Sequence, residues 1–324
     1  MSISEYIKKQ RQLKTNKKED GEIIEVDEQV LLQEMTHGIP VADSCCITDL
    51  SANFAWKRTF QNVFTGYPND GKTYAALFLM VVKSLHSKWK WVIWSPEMKS
   101  ANFIDNKVRV NYNDLINDIA WIVTGKTPYK HVADKYSSEQ LTSDEMLKIL
   151  PWIKEHFVFL NPKEKTPEAI YELIDNIYQE QGYDGVLIDP FKNIEQNIKV
   201  RDDIFLEQLF ARFKDLAVKN NIVMNWIAHP KANVTRIQDG QLMPCDQYML
   251  NGGAAWNNSM DGIYSIFRWN TLEDPKDTGV WFLNLKQRKQ ALVAERGTVK
   301  NIEFDYKTYR YLFNGKDVVG TPFN

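Results

Sequence analysis

Residues 66–73 read GYPNDGKT and have the types and spacing of a phosphate-binding loop, GxxxxGK followed by Ser or Thr. The loop follows the strand-like run Phe60–Phe64 and precedes a helical pattern, which is the context that this motif requires. Its backbone N–H groups and the helix N-terminus attract an anion, and Gly71 lets the backbone approach phosphates closely. Lys72 is predicted to neutralise the β- and γ-phosphates, and the Thr73 hydroxyl to coordinate Mg²⁺. The other residues expected around ATP, or around another nucleoside triphosphate, are Gly66, Asn69 and Asp70.

An acidic residue at the end of a second apolar run could complete the metal site. The run Gly185–Ile188 leads directly into Asp189, as in a buried strand that ends at the carboxyl edge of a parallel sheet, where ligands bind. Asp189 is therefore predicted to hold Mg²⁺ through water. The alternative is a strand-terminal aspartate that caps the turn into Pro190.

Hydrolysis also needs a group that orients or deprotonates the attacking water. Glu97 follows the strand-like run Trp91–Ser95, which comes directly after the helix of the phosphate loop. It should therefore emerge at the same sheet edge, and we predict it as the catalytic base. The alternative is a surface glutamate in a turn.

The pattern of apolar runs indicates the elements that must position these residues. From about residue 59 onward, apolar runs alternate with longer amphipathic segments, which is typical of an α/β fold with a mostly parallel sheet and helices on both faces. The predicted strands are 59–65, 89–95, 157–160, 185–189 and 222–228, and the predicted helices are 72–86, 102–124, 143–156, 167–181 and 203–219. After residue 250 strands follow one another, at 262–269, 280–288, 301–304 and 310–313. This succession predicts an antiparallel extension of the same sheet.

One large domain preceded by an arm is the simplest organisation of the chain. Residues 1–25 read as a short basic helix and a charged linker, and they suit either a solvated tail or an arm that docks on a neighbouring subunit. We assign 1–58 to this arm and linker, and 59–324 to the domain that carries the site.

Composition bounds the class of protein. A chain of 324 residues with 44% hydrophobic residues can form a core without disulfide or metal support. Its net charge of −2 gives no global basic field, so contact with a polynucleotide requires a local patch or a channel formed by several subunits. Three cysteines without zinc-ligand spacing indicate reduced thiols in a cytoplasmic protein. No run approaches 18 apolar residues, so we predict no membrane span.

Several segments, in order, resemble DnaB-type replicative helicases, in the branch that includes Twinkle and the phage primase-helicases. They are the phosphate loop, WSPEM at 94–98, IDP at 188–190, AHPK at 228–231, GGAAW at 252–256 with DGI at 261–263, and KQR at 286–288. They cover about residues 59–313. The resemblance implies a RecA-like core and an ATP-driven motor, a hexameric ring that translocates 5′-to-3′ on single-stranded DNA. Within WSPEM, it again makes Glu97 the catalytic base.

The resemblance also implies roles for residues whose types alone are ambiguous. His229 would sense the γ-phosphate and relay the nucleotide state to the DNA-binding loop, although such a histidine is more often part of a core or a strand end. Arg288 would be an arginine finger that reaches the neighbouring subunit's ATP, with Lys286 as its companion. On a strand, two such cations are otherwise typical of a solvated face. Arg268 and Tyr306 would lie around the nucleotide base, and Tyr306 suits an ordinary sheet residue equally well.

Residues 230–251 contain few strand or helix signals, and structureless segments of this length are often functional. In the family that the chain resembles, loops here face the central channel and grip the DNA backbone. We therefore predict DNA contacts from Lys231, Asn233 and Arg236. Six weak sets of contacts in a ring could hold DNA although the chain is slightly acidic. The alternative is a disordered surface loop.

Two features depart from the family pattern and leave other functions open. The KQR segment continues as KQAL at 289–292 where relatives often have a glycine-rich turn, and the chain has no room for a primase domain. Any primase or other replisome protein would then be a separate partner, and the composition suits a phage protein. The alternative functions are a RecA- or RadA-like recombination ATPase that forms filaments, and a non-translocating DNA-associated ATPase or loader.

Overall fold

A ten-stranded sheet contains all five of the strands predicted between residues 59 and 228. The structure, a computed structural model, describes residues 27–38, 41–104, 107–196, 200–231, 236–238 and 240–323. The strands in chain order are β1 (Asp43–Ser44), β2 (Ala55–Trp56), β3 (Gln61–Thr65), β4 (Trp91–Trp94), β5 (Ser100–Ile104), β6 (Lys107–Asn111), β7 (Phe157–Phe159), β8 (Gly185–Ile188), β9 (Val223–Ile227), β10 (Ile237–Gln238), β11 (Gln241–Leu242), β12 (Gly262–Phe267), β13 (Gly279–Gln287), β14 (Gly297–Asp305), β15 (Arg310–Phe313) and β16 (Lys316–Asp317). The α-helices are α1 (Glu28–His37), α2 (Lys72–Ser87), α3 (Asn113–Thr124), α4 (Lys130–Tyr136), α5 (Ser143–His156), α6 (Pro167–Gln181), α7 (Asp202–Lys219) and α8 (Gly253–Ser259).

The strand order explains which residues can meet. It is β16-β15-β14-β13-β12-β3-β9-β8-β4-β7. The strands from β12 to β7 in this order are mutually parallel, so their carboxyl ends share one edge of the sheet. Beyond β12, each strand from β13 to β16 is antiparallel to its neighbour. The predicted α/β architecture with an antiparallel C-terminal extension is confirmed.

Helices cover both faces of the parallel strands. On β4, Trp91 and Ile93 point into one hydrophobic cluster, while Val92 and Trp94 point into the other. This alternation is the period-2 geometry of a strand buried on both sides. Helices α2, α3 and α5 contribute to the first cluster, and α6, α7 and α8 to the second.

The predicted helix 102–124 is wrong in its first half, because residues 100–104 and 107–111 pair as an antiparallel hairpin. The segment 107–111 alternates Lys and Arg with β-branched valines, which suits a strand. The side chain of Asn111 accepts a hydrogen bond from the backbone N–H of Asn113, and α3 begins there. Helices α4 and α8, each seven residues long, and the short β10–β11 pair lie where no element was predicted.

The chain divides into two compact units. The second runs from Ala42 to Asn324 and includes the segment 42–58, in which Phe54 and Trp56 are fully buried. The other unit contains α1, whose N-terminus is capped by the carboxylate of Asp27. The predicted arm at 1–25 lies outside the described residues, and the boundary at residue 58 stays a prediction. None of the helices in the described ranges combines the length and apolar character that crossing a lipid bilayer requires.

One buried arginine ties α3 to the antiparallel edge. Arg310 on β15 is 3% exposed and donates from Nε to Ile122 O (2.7 Å) and from Nη2 to Val123 O (2.8 Å), at the carboxyl end of α3. Its Nη1 contacts Asp317 Oδ2 (2.5 Å). The next residue, Tyr311, donates to the carbonyl of Gly71 in the phosphate loop (3.4 Å). Arg310 therefore supports a strand that packs against the loop.

Replacing Arg310 with methionine should lower the free energy of unfolding by at least about 3 kcal/mol, because buried carbonyls and a carboxylate lose a charged donor. Urea unfolding measures this. The stability of Arg310→Lys should fall between those of the wild type and Arg310→Met, since an ammonium cannot reproduce the planar set of donors. Arg212→Met is the matched control: the Arg212 side chain is 39% exposed and pairs with the exposed Glu168, so the loss should stay within about 1 kcal/mol. Equal losses for Arg310 and Arg212 would contradict this account.

Candidate nucleotide-binding site

The loop between β3 and α2 has the backbone geometry of an anion site. Gly66 has a φ of 155°, and a Cβ placed on it would lie 2.5 Å from the carbonyl oxygen of Ile266, so no larger residue fits. Gly71 adopts a left-handed φ of 85° at the N-cap of α2 and offers no side chain to the helix N–H groups. Those N–H groups therefore remain available to an anion at the positive end of the helix.

Lys72 is a largely buried lysine without a counter-ion among the described residues. It is 5% exposed, and among the described residues none accepts a hydrogen bond from its ammonium or lies within ion-pair distance of it. Burial lowers the pKa of Lys72, and the more distant carboxylates of Asp189 and Asp70 oppose that shift. A lysine that is largely withdrawn from water without a counter-ion is costly. A phosphate group in the loop would remove that cost.

Asp189 lies at the carboxyl end of β8, beside the start of α2. Its Oδ1 accepts from Thr73 Oγ1 (3.2 Å), and its Oδ2 accepts from Ser95 Oγ (3.1 Å). Burial raises the pKa of Asp189 to about 6, although both hydroxyls oppose the shift. These oxygens are the donors that Mg²⁺ prefers. No cluster of three or more His, Cys, Asp or Glu side chains in the described part of the chain could hold a metal alone, so phosphate oxygens and water would complete the coordination.

Glu97 lies between two nitrogen groups at the same sheet edge. Its Oε1 is 2.8 Å from Lys192 Nζ, and its Oε2 is 3.8 Å from His229 Nε2. Glu97 follows β4, Lys192 lies in the short turn after β8, and His229 follows β9, so parallel pairing brings the three together. Sequence reasoning missed Lys192, whose only signal is its position three residues after Asp189. Ser95 was also missed as a ligand-orienting hydroxyl.

His229 is held in its neutral form. Its pKa is lowered to about 4, mainly by burial and also by the nearby cations Lys72 and Lys192, while Glu97 opposes the shift. Its Nε2 is buried and has no hydrogen-bond partner among the described residues. A neutral imidazole with an unsatisfied nitrogen can take a hydrogen bond from a ligand that enters the site.

Arg236 lies against the phosphate loop. Its Nη2 is 2.9 Å from Asp70 Oδ1, and its guanidinium stacks 5.0 Å from the ring centre of Tyr67. Asp70 is 2% exposed, and burial raises its pKa to about 6 despite the opposing charge of Arg236. Of the other residues predicted to touch DNA, Lys231 is exposed, and Asn233 lies outside the described residues.

Arg268 and Tyr306 follow strands that end at the edge of the phosphate loop. Arg268 follows β12 and donates to the backbone carbonyl of Asp277. Tyr306 follows β14, and its ring stacks on Tyr136 with centroids 5.5 Å apart. Their predicted role around a nucleotide base stays a prediction.

Lys286 and Arg288 lie at the opposite edge. Gly262 pairs with Asn62 of β3 on one side and with Gln287 of β13 on the other, at the amino ends of the parallel strands. Thr65, the last residue of β3, is about 10 Å further along the sheet at the usual rise per residue. The structure thus brings Lys72, Thr73, Asp189, Glu97 and His229 together and keeps Lys286 and Arg288 away from them.

No model of a known protein family matches the sequence, and no curated protein matches it either. Many solved structures share its fold, and the following are two of them. The ATPase domain of a phage helicase superposes with a TM-score of 0.66, at 17% identity, over 91% of this chain and 99% of that one. A DnaB-like replicative helicase, described with its interactions with primase, superposes with a TM-score of 0.62, at 16% identity, over 96% of this chain and 72% of that one. The predicted RecA-like core is confirmed.

Replacing His229 with glutamine should flatten the dependence of stability on pH. The pKa of His229 is about 4 in the folded state and 6.5 without the fold, so only the unfolded chain binds this proton between those values. The wild type therefore loses stability as pH falls through this window, and the variant lacks that loss. When the pH falls from 7 to 5, the wild type should lose about 1–2 kcal/mol more unfolding free energy than His229→Gln does. Urea unfolding of both proteins at both pH values, without nucleotide, measures this. Equal losses of unfolding free energy in the wild type and the variant would refute the prediction.

Proposed function

We propose that this chain is the motor of an ATP-dependent DNA helicase, a hexameric ring that moves on single-stranded DNA and hydrolyses ATP between subunits. The observation that carries the proposal is Lys72, a residue 5% exposed whose ammonium has no acceptor among the described residues, beside the Asp189–Thr73 pair at the N-terminus of α2. A site with this much unsatisfied positive charge suits a polyphosphate. The fold shared with the ATPase domain of one helicase and with a DnaB-like replicative helicase supports the rest.

The side chains at this edge suit hydrolysis of a terminal phosphate. Thr73 and Asp189 would hold Mg²⁺, which supplies charge neutralisation to the phosphate oxygens. A water attacks the γ-phosphorus, the bond to the bridging oxygen of the β-phosphate breaks, and the water's proton passes to Glu97. The ion pair with Lys192 holds that carboxylate next to His229, whose unsatisfied Nε2 can donate to the γ-phosphate in one tautomer or accept from the water in the other.

The position of Arg288 supports hydrolysis between subunits. Phosphoryl transfer is accelerated by a cation on the transferring phosphate, and an arginine supplied by a neighbour often provides it. Arg288 and Lys286 are at the sheet edge opposite their own phosphate loop. A second copy that presents this edge to the loop would complete the site. The partners are therefore further copies of the chain, with single-stranded DNA in their centre.

The segment around Lys231 and Arg236 is the proposed DNA contact. Lys231 is exposed and follows His229 by two residues, so a shift at the phosphate site reaches it along the chain. Arg236 contacts Asp70 of the phosphate loop directly. Arg236 is thus in contact with the phosphate loop, and Lys231 is close to His229 in the sequence. A separate primase is a further proposed partner, by analogy with the structural neighbour that is described with one.

Two substitutions test the nucleotide site. Lys72→Ala should weaken triphosphate binding and abolish hydrolysis, because it removes the charge opposite the phosphates. Glu97→Gln should still bind ATP with Mg²⁺, while turnover falls by roughly 10²–10⁴ because the base is lost. Binding of a fluorescent ATP analogue, phosphate release, and unwinding of a forked duplex measure the three properties. A folded Lys72→Ala protein with full ATPase activity would falsify the proposal.

Mixing subunits tests hydrolysis between copies. Arg288→Ala should bind ATP with near-normal affinity and still assemble, yet hydrolyse poorly, since a finger is worth roughly 10³–10⁵ in rate. Mixed with Lys72→Ala, it should regain part of its ATPase activity, because some interfaces then pair an intact loop with an intact finger. Unwinding should stay poor, as it needs coordinated turnover. A monomer with full activity that Arg288→Ala leaves untouched would rule out the ring mechanism.

A further inference from the structure

A fully buried carboxylate lies behind the exposed Arg288. Asp261 precedes β12 and is 0% exposed. Its Oδ2 accepts from the backbone N–H of Gln61 (2.9 Å) and from Lys214 Nζ (2.7 Å), so this oxygen is satisfied within the domain. Its Oδ1 accepts no hydrogen bond from the described residues, and Nη1 of Arg288 lies 2.8 Å from it. One carboxylate thus serves two cations from two directions.

Asp261 holds Arg288 at two points. The backbone N–H of Arg288 donates to the carbonyl of Asp261 (2.8 Å), which fixes where the side chain leaves the strand. The guanidinium then lies against Oδ1 as an ion pair, although its N–H is not aligned as a hydrogen bond to that oxygen. The side chain of Arg288 is still 47% exposed. It is therefore directed by the domain without being enclosed by it.

The neighbouring cation is bound differently. Lys286 donates to the carbonyls of Asn257 and Met260 at the end of α8, and burial lowers its pKa.

Arg288 Nη2 reaches the carbonyl of Asn258 at 3.4 Å, a long contact. Nε of Arg288 has no acceptor among the described residues. Nη1 and Nη2 of Arg288 each contact the domain through one side. The remaining N–H groups of the planar guanidinium stay available to a bidentate acceptor such as phosphate.

We propose that Asp261 is a positioning residue, which aims the Arg288 guanidinium at the triphosphate bound by a neighbouring copy of the chain. The inference rests on the proposed function and names a residue through which the finger acts. A flexible arginine at the end of a strand would sample many rotamers, and a charged contact behind it preorganises one group of them. The simpler alternative is a structural ion pair with Lys214, in which Arg288 has no part.

The first test separates these two roles with a matched pair of variants. Asp261→Asn keeps the acceptor for Gln61 but removes the charge that faces Arg288. We expect near-normal ATP affinity, assembly and KM, with kcat lower by about 10- to 100-fold, the cost of a misplaced catalytic group. Lys214→Met breaks the other ion pair of the same carboxylate and should keep kcat within about threefold, because Arg288 remains paired. Equal loss of kcat in both variants would overturn the inference.

A double variant keeps the test decisive if Asp261→Asn alone folds poorly. Asp261→Asn leaves Lys214 without its carboxylate, and adding Lys214→Met removes that unpaired charge. The double variant should recover stability, measured by urea unfolding, while its kcat stays as low as that of Asp261→Asn. A double variant as active as Lys214→Met alone would show that Arg288 does not need the carboxylate.

Mixed assemblies then show on which subunit Asp261 acts. Asp261→Asn mixed with Lys72→Ala should regain ATPase activity, because some interfaces combine an intact loop with an intact finger. Mixed with Arg288→Ala it should not, since neither subunit then supplies a well-placed finger. Recovery of Arg288→Ala with Lys72→Ala, without recovery of Asp261→Asn with Lys72→Ala, would overturn the inference and leave the proposed function standing. If Arg288→Ala mixed with Lys72→Ala also failed to regain ATPase activity, both the inference and the proposed hydrolysis between subunits would be wrong.

Discussion

Parallel pairing around β3 is the constraint on which the site depends. β9 lies on one side of β3 and β12 on the other, with β8 and β4 beyond β9, all in the same direction. Residues that follow β3, β4, β8 and β9 must then emerge at one edge, although they are far apart in the sequence. Thr73 and Asp189 are 116 residues apart and in hydrogen-bond contact. The chemistry of the edge is therefore a consequence of strand order.

Burial at this edge disfavours the charged forms of Lys72, Asp189, Asp70 and His229. It lowers the pKa of Lys72, raises those of Asp189 and Asp70 to about 6, and lowers that of His229 to about 4. Excluded water is the common cause, because the charged forms lose solvation that the protein only partly replaces. A polyanion with its metal ion would return the missing partners. Ligand binding and local stability are therefore linked at this edge.

Local signals predicted much of the fold. The helices 143–156 and 167–181 have the predicted bounds, since a capping box at Thr142 and Glu145 and an N-cap at Thr166 before Pro167 mark their starts. The hairpin 100–111 was not predicted, because cross-strand pairing is not a local property. The phosphate loop and Asp189 are visible as contiguous patterns. The contact between Arg236 and Asp70 is not visible in the sequence, because the two residues are 166 positions apart and only the folded chain brings them together.

The separation of Arg288 from its own phosphate loop has a consequence for symmetry. If each copy gives its arginine from one edge and receives another at the opposite edge, the contact surfaces are different on the two partners. Such heterologous, head-to-tail contacts leave one unused surface at each end of any open assembly. Growth stops only when rotation closes the series on itself, and otherwise continues as a helical filament. The angle between adjacent copies, and not the chemistry of the site, would then decide between a ring and a fibre.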